Sequence, residues 1–536
     1  MIIKGQKVTP SFRPGLNRMA KIVLAGFSMA QPKTMTKRKF LAVSQKQKYK
    51  QMKKLAFLSI ILFLIFSCSK NDGTNEIIPN EITTKNLTIF FVNDQHGQLD
   101  NFSKIKQIVD KEKQETNVLI ACSGDMFSGN PVVDNYEEKG YPMIDVMNKV
   151  EFDISVLGNH EFDYGESVLK DRMEQAEFVW VCANVDMGST GIPEPLEYKT
   201  INIGDLKITF LGLVETDGKE NATIPMTHPG KIQNLTFERP ENVVSQYSNI
   251  KEQENSDLYI ALTHLGHQGF YGGLGDFQLA EQFPYFDLII GGHTNQKLDT
   301  VVNNIHVYQA GCYLNYLGKI VLSVKNKKIE SAIFDLIELN NYTDYDTELK
   351  SVIDEYNNNM SSVLDEVIGF SHFYHEKYKV GCFYTDALRD KLNVDVTFQN
   401  TGGVRSSLDE GDITIRKIYE IDPFNNGTLI YNMSVTDIKN FLIGTSSGFY
   451  YSGIQIEQIG MDVQINDLNG NIIPDNNILS LGINDYIPAV HDIYFPTNVN
   501  IQSFTTAEAI IFYLVNINSD VSYPDCDHYF RYQYFN

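Results

Sequence analysis

Five short runs in this chain end apolar stretches in residues that bind cations or move protons: Asp94-Gln95-His96, Gly124-Asp125, Gly158-Asn159-His160-Glu161-Phe162-Asp163, Thr263-His264 and Gly291-Gly292-His293-Thr294-Asn295. In the third run an amide oxygen able to bind a metal, Asn159, precedes an imidazole able to carry a proton, His160. A carboxylate three residues on, Asp163, can orient that ring. Taken alone, Asn-His in a tight turn is a common capping pattern. Together, Asp94, His96, Asp125, Asn159, His264 and His293 would repel and desolvate one another at one point unless cations held them. Nitrogen and oxygen ligands without thiolate suit Zn, Mn, Fe or Co better than a structural cysteine site. Asp125 stands between the two ligand groups in sequence, where the shared carboxylate of a metal pair about 3.5 to 4 Å apart belongs.

Such convergence needs elements that deliver every run to one edge. Leu87 to Val92, Asn117 to Cys122, Ile154 to Leu157, Phe178 to Val181, Lys207 to Val214, Leu258 to Leu262 and Leu288 to Ile290 read as strands. Helical patterns over Phe102 to Lys113, Tyr141 to Lys149, Glu166 to Gln175 and around Arg239 to Gln253 separate them. This alternation predicts an α/β domain over 86–335, a sheet covered by helices on both faces, with chemistry at the strand ends. Short strands from Ile305 to Phe334 would close one edge.

The series Asp94-x-His96, Gly124-Asp125, Gly158-Asn159-His160-Glu161, Thr263-His264 and Gly292-His293-Thr294-Asn295 resembles the calcineurin-like metallophosphoesterases. With the features of the second half, it is similar to the bacterial 5′-nucleotidase family from about residue 86 to the end. That resemblance implies a four-layer αββα sandwich followed by an α+β substrate-binding domain, and two divalent ions. Asp94, His96, Asp125 and Asn295 would hold one ion; Asp125, Asn159, His264 and His293 the other. Asn295 departs from the Gln or His common at its position. The cations would bring the pKa of a water molecule toward about 7, so that it attacks phosphorus at neutral pH. His160, oriented by Asp163, would stabilise the transition state or protonate the leaving oxygen. No serine or cysteine nucleophile motif is present. His267 is expected to be structural or solvent-facing.

Residues 336–365 contain a connecting helix, Asp344 to Asp365, and 366–536 a second domain. There the strand Val394 to Phe398 leads into Asn400-Thr401-Gly402-Gly403-Val404-Arg405, a tight loop whose N–H groups lie beside a guanidinium and suit an anionic or hydroxyl-rich ligand. Phe424 and Tyr486 could clamp a planar base, or serve as core, and Asp492 could accept from ribose hydroxyls. The resemblance places Asn400 and Arg405 toward nucleoside and phosphate. Two departures bear on specificity. Val490-His491 replaces the usual glycines before Asp492, and His375-Glu376-Lys377-Tyr378-Lys379 lacks the expected second arginine, so phosphate would rest on Arg405 with a lysine.

The chain has 536 residues, 43% hydrophobic, and a formal charge of −22, which excludes a nucleic-acid polymer as partner and fits a globular protein acting on small substrates. Its first 51 residues hold 12 basic and no acidic side chains. They read as an upstream extension before Met52. Residues 52–67 read as a secretory signal, Ile65-Phe66-Ser67-Cys68 resembles a bacterial lipobox with Cys68 as the lipidated residue, and 68–85 form a polar tether to a membrane. Beyond Cys68, the scattered cysteines 122, 182, 312, 382 and 526 are expected as buried free thiols. The function expected is removal of phosphate from extracytoplasmic nucleotides. The alternatives are 2′,3′-cyclic nucleotides, nucleoside di- or triphosphates or UDP-sugars on the same fold, and a non-catalytic surface nucleotide-binding or adhesion lipoprotein. Oligomeric state is not readable.

Overall fold

A computed structural model describes residues 84–219, 223–269 and 272–534. The expected extension, signal segment and Cys68 lie outside them.

Two six-stranded sheets stack in the first half. One runs β12-β11-β1-β2-β3-β4, with β1 Lys85–Val92, β2 Val118–Cys122, β3 Ile154–Val156, β4 Val179–Val181, β11 Tyr316–Lys325 and β12 Lys328–Glu338. The other runs β9-β10-β8-β7-β6-β5, with β5 Tyr198–Ile203, β6 Leu206–Val214, β7 Leu258–His264, β8 Leu288–Ile290, β9 Lys297–Val302 and β10 Ile305–Ala310. Alternation decides what each face buries. Leu87, Ile89 and Phe91 point into the seam and meet Ile208, Phe210, Ile260 and Ile290 of the second sheet. Phe90 and Val92 point outward under helices α1 Phe102–Glu112 and α2 Tyr141–Val150. The outer face of the second sheet has its own core around Leu211, Tyr259 and Ile289, covered by α4 Asp276–Gln282. These are the four layers expected.

Some details differ from the sequence reading. The strands after Ile305 are not all short: β11 and β12 have 10 and 11 residues, and β11 pairs antiparallel with β1, which lies inside its sheet. The single helix expected near Arg239 to Gln253 is broken into Pro240–Val243, a 3₁₀ turn and Ile250–Gln253, because the Ser and Asn residues of 245–249 compete with helical hydrogen bonding. Helix α3, Glu166–Gln175, has the bounds expected.

Helix α5, Thr347–Leu364, is capped by the Asp346 carboxylate, which accepts from Leu349 N–H at 2.7 Å. It is more than a connector: its Leu349, Ile353 and Tyr356 join the core under α1 and α2. Beyond it, α6 Lys377–Leu392 packs against a six-stranded sheet ordered β17-β14-β16-β13-β15-β18: Asn500–Thr505, Gly427–Ser434, Ile478–Asn484, Val396–Asn400, Gly448–Ser452 and Tyr529–Arg531. A Cys382–Cys526 disulfide ties α6 to the C-terminal segment, the two cysteines being 144 positions apart in sequence. This corrects the expectation of free thiols for that pair, which tertiary packing brings together from widely separated positions. Cys122, Cys182 and Cys312 are free.

Candidate metal and phosphate site

The parallel strands β1, β2, β3, β7 and β8 all deliver polar residues at their C-terminal ends. Asp125 is central. Its Oδ2 lies 3.0 Å from His264 Nε2 and 3.8 Å from His160 Nε2, while its Oδ1 accepts from His160 N–H at 2.9 Å. Ligand atoms of His96, Asp125 and His160 lie within 4.8 Å of one another, and so do those of Asp125, His264 and His293. Asp125 therefore belongs to both groups, the placement expected of a bridging carboxylate. His160 appears in the first cluster alongside the expected ligand His96. Asp94 reaches the same point, its Oδ1 being 3.9 Å from His96 Nε2.

Local sequence explains how the loops approach so closely. A Cβ on Gly158 would stand 2.4 Å from Asp125 Oδ1, and one on Gly124 would stand 2.7 Å from Gly158 N. Five expected ligands take left-handed backbone: Asp94 (φ 52°), His96 (49°), Asp125 (59°), His293 (76°) and Asn295 (56°). Non-glycine residues adopt that conformation at about 1 to 3 kcal/mol each, and such strain concentrates at functional sites.

The donor set fits cations. Asp94 Oδ1 and Asn295 Oδ1 are buried without a hydrogen-bond partner among the described residues. The imidazoles are oriented from behind: His264 Nδ1 donates to Ser123 O at 2.6 Å and His96 Nδ1 lies 3.2 Å from Ser128 O. Asn159 Oδ1 is 2.9 Å from His293 Nδ1. Burial lowers the pKa of His96, with Arg405 and His160 adding to the effect, and lowers that of His293 to about 3 with His264 adding. Both rings are thus neutral at ordinary pH, the form in which an imidazole can bind a metal. Burial raises Asp94 to about 6. It also opposes ionisation of Asp125 and His264, but each holds the other charged, the carboxyl well below its usual range and the imidazole above.

His160 and Asp163 form the expected pair, Nδ1 to Oδ2, at 2.6 Å. Burial works against the charged ring, yet Asp125 and Asp163 outweigh it and raise the pKa of His160.

One cavity of about 190 Å³ opens onto this cluster and is shared by both halves of the protein. Of the residues expected to bind substrate, Asn400, Gly402, Gly403, Arg405, Phe424 and Tyr486 line it. Arg405 Nη2 comes within 3.4 Å of His96 Nε2, and its guanidinium lies 5.7 Å from the Phe424 ring centre. Phe424 is not core; its ring faces His160 at 5.8 Å, with 22° between planes.

Asp492 is a correction. Tyr486–Val490 forms a short helix that carries the chain away, His491 packs beside Phe441, and Asp492 is exposed in the next turn, outside the cavity. The lysine expected beside Arg405 is Lys377, though not in the cavity over the cluster. Lys377 does share with Arg405 a cavity adjoining the one over the cluster, and Lys379 donates to Pro524 O, whereas the lysine that lines the cavity over the cluster is Lys231 of the first domain. His267 is structural as expected, held by Thr294 at 2.8 Å.

Sequence reasoning missed Glu161, whose buried carboxylate accepts N–H groups from Asp125, Met126 and Gly158. It also missed the loop holding Thr227, His228 and Lys231. A signal was present: β6 stops at Val214 and runs into Glu215-Thr216-Asp217, all buried polar residues, the same pattern that marked the other strand ends.

Comparison with known proteins agrees. The calcineurin-like phosphoesterase family matches residues 87–297, and the 5′-nucleotidase C-terminal domain matches 364–486. A trifunctional nucleotide phosphoesterase of Bacillus subtilis is 28% identical over 430 residues, covering 70% of this chain and only 29% of that longer protein. A 5′-nucleotidase of Vibrio parahaemolyticus is 26% identical, covering 75% of this chain and 82% of that protein. The solved 5′-nucleotidase precursor of Thermus thermophilus superposes with a TM-score of 0.70 at 19% identity, over 82% of this chain and 97% of its own. The metallophosphoesterase fold implies divalent metals, and the strand-end cluster is where they would sit. Around one cavity the chain thus carries a calcineurin-like phosphoesterase domain followed by a 5′-nucleotidase C-terminal domain, the domain pair of a phosphoric ester hydrolase.

Proposed function

We propose that this protein is a dimetal phosphohydrolase that removes the 5′ phosphate from extracytoplasmic nucleotides. The observation that carries the reading is the shared cavity. Its floor is the Asp125-centred cluster with the His160–Asp163 pair, and its walls carry Arg405, Lys231 and the Tyr486 ring.

Asp94, His96, Asp125 and Asn295 would hold one divalent ion, and Asp125, Asn159, His264 and His293 the second. Bound there, the ions supply an acidified water and neutralise phosphoryl charge. Every other role falls to the chain. Arg405 and Lys231 attract the phosphate and counter its negative charge. Asp163 accepts a hydrogen bond from Nδ1–H of the protonated His160 ring, which leaves the Nε2–H on the Asp125 side to give its proton to the ribose oxygen as the phosphorus–oxygen bond breaks, the ring ending neutral. Tyr486 and Phe424 offer faces for the base. Water and phosphomonoester become nucleoside and inorganic phosphate.

The position of Asp492 favours a second reading, action on a different nucleotide ester, because the carboxylate expected to accept from the ribose hydroxyls is outside the cavity. Phosphate release from AMP and from a panel of cyclic, diphosphate and sugar nucleotides, with Mn, Co, Zn or Mg and then with chelator, separates the two. Release from AMP supports the first and release only from other esters the second. No release from any would leave a binding protein.

The Cys382–Cys526 disulfide supports an oxidising, extracytoplasmic compartment. Among the described residues no helix is long and apolar enough to cross a membrane. Anchoring would then rest on Cys68, and Cys68→Ser should move the activity from washed membranes to the soluble fraction.

A further inference from the structure

The Asp163 carboxylate has two oxygens, and only one faces His160. The other, Oδ1, accepts the Thr227 hydroxyl at 2.8 Å. Thr227 lies 64 residues further along the chain, is 2% exposed and lines the catalytic cavity. Buried threonine hydroxyls most often satisfy backbone carbonyls. This one instead meets the carboxylate that orients the proton-carrying ring.

The loop presenting Thr227 is fixed at the residue before it, through both its N–H and its carbonyl. Met226 O accepts from Asn159 Nδ2 at 3.1 Å, and Met226 N–H donates to Glu215 Oε1 at 2.6 Å. Glu215 Oε2 accepts from Asp217 N–H at 2.5 Å, so the buried carboxyl that ends β6 braces the loop. A single segment, Met226-Thr227, thereby touches the amide of an expected metal ligand and the partner of the catalytic histidine. A carboxylate held through one oxygen can rotate about its own bond. One held through both cannot, and its hydrogen bond to the imidazole keeps a fixed plane.

We propose that Thr227 is a positioning residue for the His160–Asp163 pair: its hydroxyl locks the Asp163 carboxylate so that the protonated His160 ring gives its Nδ1–H hydrogen bond to Asp163 and turns its Nε2–H toward the leaving oxygen. The inference rests on the phosphohydrolase reading above. It requires no new reactant, since the hydroxyl neither gives nor takes a proton in the reaction.

Leaving-group dependence supplies the test. A ribose oxygen needs protonation as it departs, whereas p-nitrophenolate departs well without it. Thr227→Val should lower kcat for a nucleoside 5′-monophosphate about 10- to 100-fold with little change in KM, and lower kcat for p-nitrophenyl phosphate no more than about 3-fold. Thr227→Ser, which retains the hydroxyl, should restore most of the nucleotide rate. In a His160→Ala background Thr227→Val should add almost nothing, because two residues acting through one ring are not additive. Metal content after dialysis should match the wild type throughout. Equal losses for both esters, a serine variant as slow as the valine variant, or full additivity with His160→Ala would overturn the inference while leaving the phosphohydrolase reading intact. Should the valine variant fail to fold, Thr227→Ala against Thr227→Ser decides by the same two esters. A wild-type protein that, supplied with metal, hydrolyses no phosphoester overturns both.

Discussion

Glutamine in place of Glu161 is the sharpest probe of how the metal site is held together. Glu161 Oε2 accepts from Asp125 N–H at 2.9 Å and Gly158 N–H at 2.5 Å, and Oε1 accepts from Met126 N–H at 2.6 Å. One side chain thus joins the loop after β2 to the loop after β3. Glutamine keeps a single oxygen. In its least damaging orientation the amide nitrogen confronts Met126 N–H and leaves one buried donor without an acceptor, which costs about 1 to 3 kcal/mol, plus the displacement that two facing donors force. We expect about 2 to 3 kcal/mol of lost stability in the metal-free protein, a large share of the margin typical of a domain.

The pH of the measurement matters. Burial, with Asp125 adding to it, raises the Glu161 pKa from 4.5 to about 7. The neutral form is the one that burial favours, so this contribution is complete below 4.5 and is lost as pH rises through about 7. Glutamine has no such term, and the difference between the two proteins narrows above neutrality. Denaturant unfolding of both metal-free proteins at pH 6 and again at pH 8, followed by competition for Zn or Mn with a chelating dye, measures both effects. Because Asp125 and Asn159 sit on the two loops concerned, metal affinity should fall about 10- to 100-fold. Equal unfolding midpoints and equal metal affinity for Glu161→Gln and wild type would refute the reasoning.

Other outcomes follow from the same geometry. In metal-free protein the His160 ring should titrate above 6.5, and Asp163→Asn should move the midpoint down, as histidine proton resonances would report. The stability this ring contributes is present below pH 6.5 and is lost as pH rises through its elevated pKa, so an unchanged midpoint in Asp163→Asn would contradict the pairing. Opening the Cys382–Cys526 bridge removes a constraint between positions 144 apart in sequence, and Cys382→Ser or a reductant should lower unfolding stability by about 2 to 5 kcal/mol. Identical denaturant midpoints with and without reductant would show the bridge to be dispensable.

Part of this molecule is legible in one dimension. An apolar run that stops at a glycine and turns polar marks a strand reaching the edge of a sheet, so Asp94, Asp125, Asn159, His264 and His293 declare themselves together, each at a strand end. His160 and Asp163 are separated by three residues, and so short a spacing lets local geometry bring their side chains together. Tertiary structure decided what local pattern cannot encode. Cys382 meets Cys526 only because α6 and the C-terminal segment pack side by side. Asp492 carries the residue type expected of a ribose contact, yet the short helix before it turns the chain out of the cavity. Thr227, Lys231 and Glu161 are ordinary residues in sequence, and their importance comes from what lies opposite them in space. Ligand types repeat at strand ends because backbone direction is a local property; which carboxylate receives a hydroxyl from 64 residues away is settled only when two packed sheets bring their loops together.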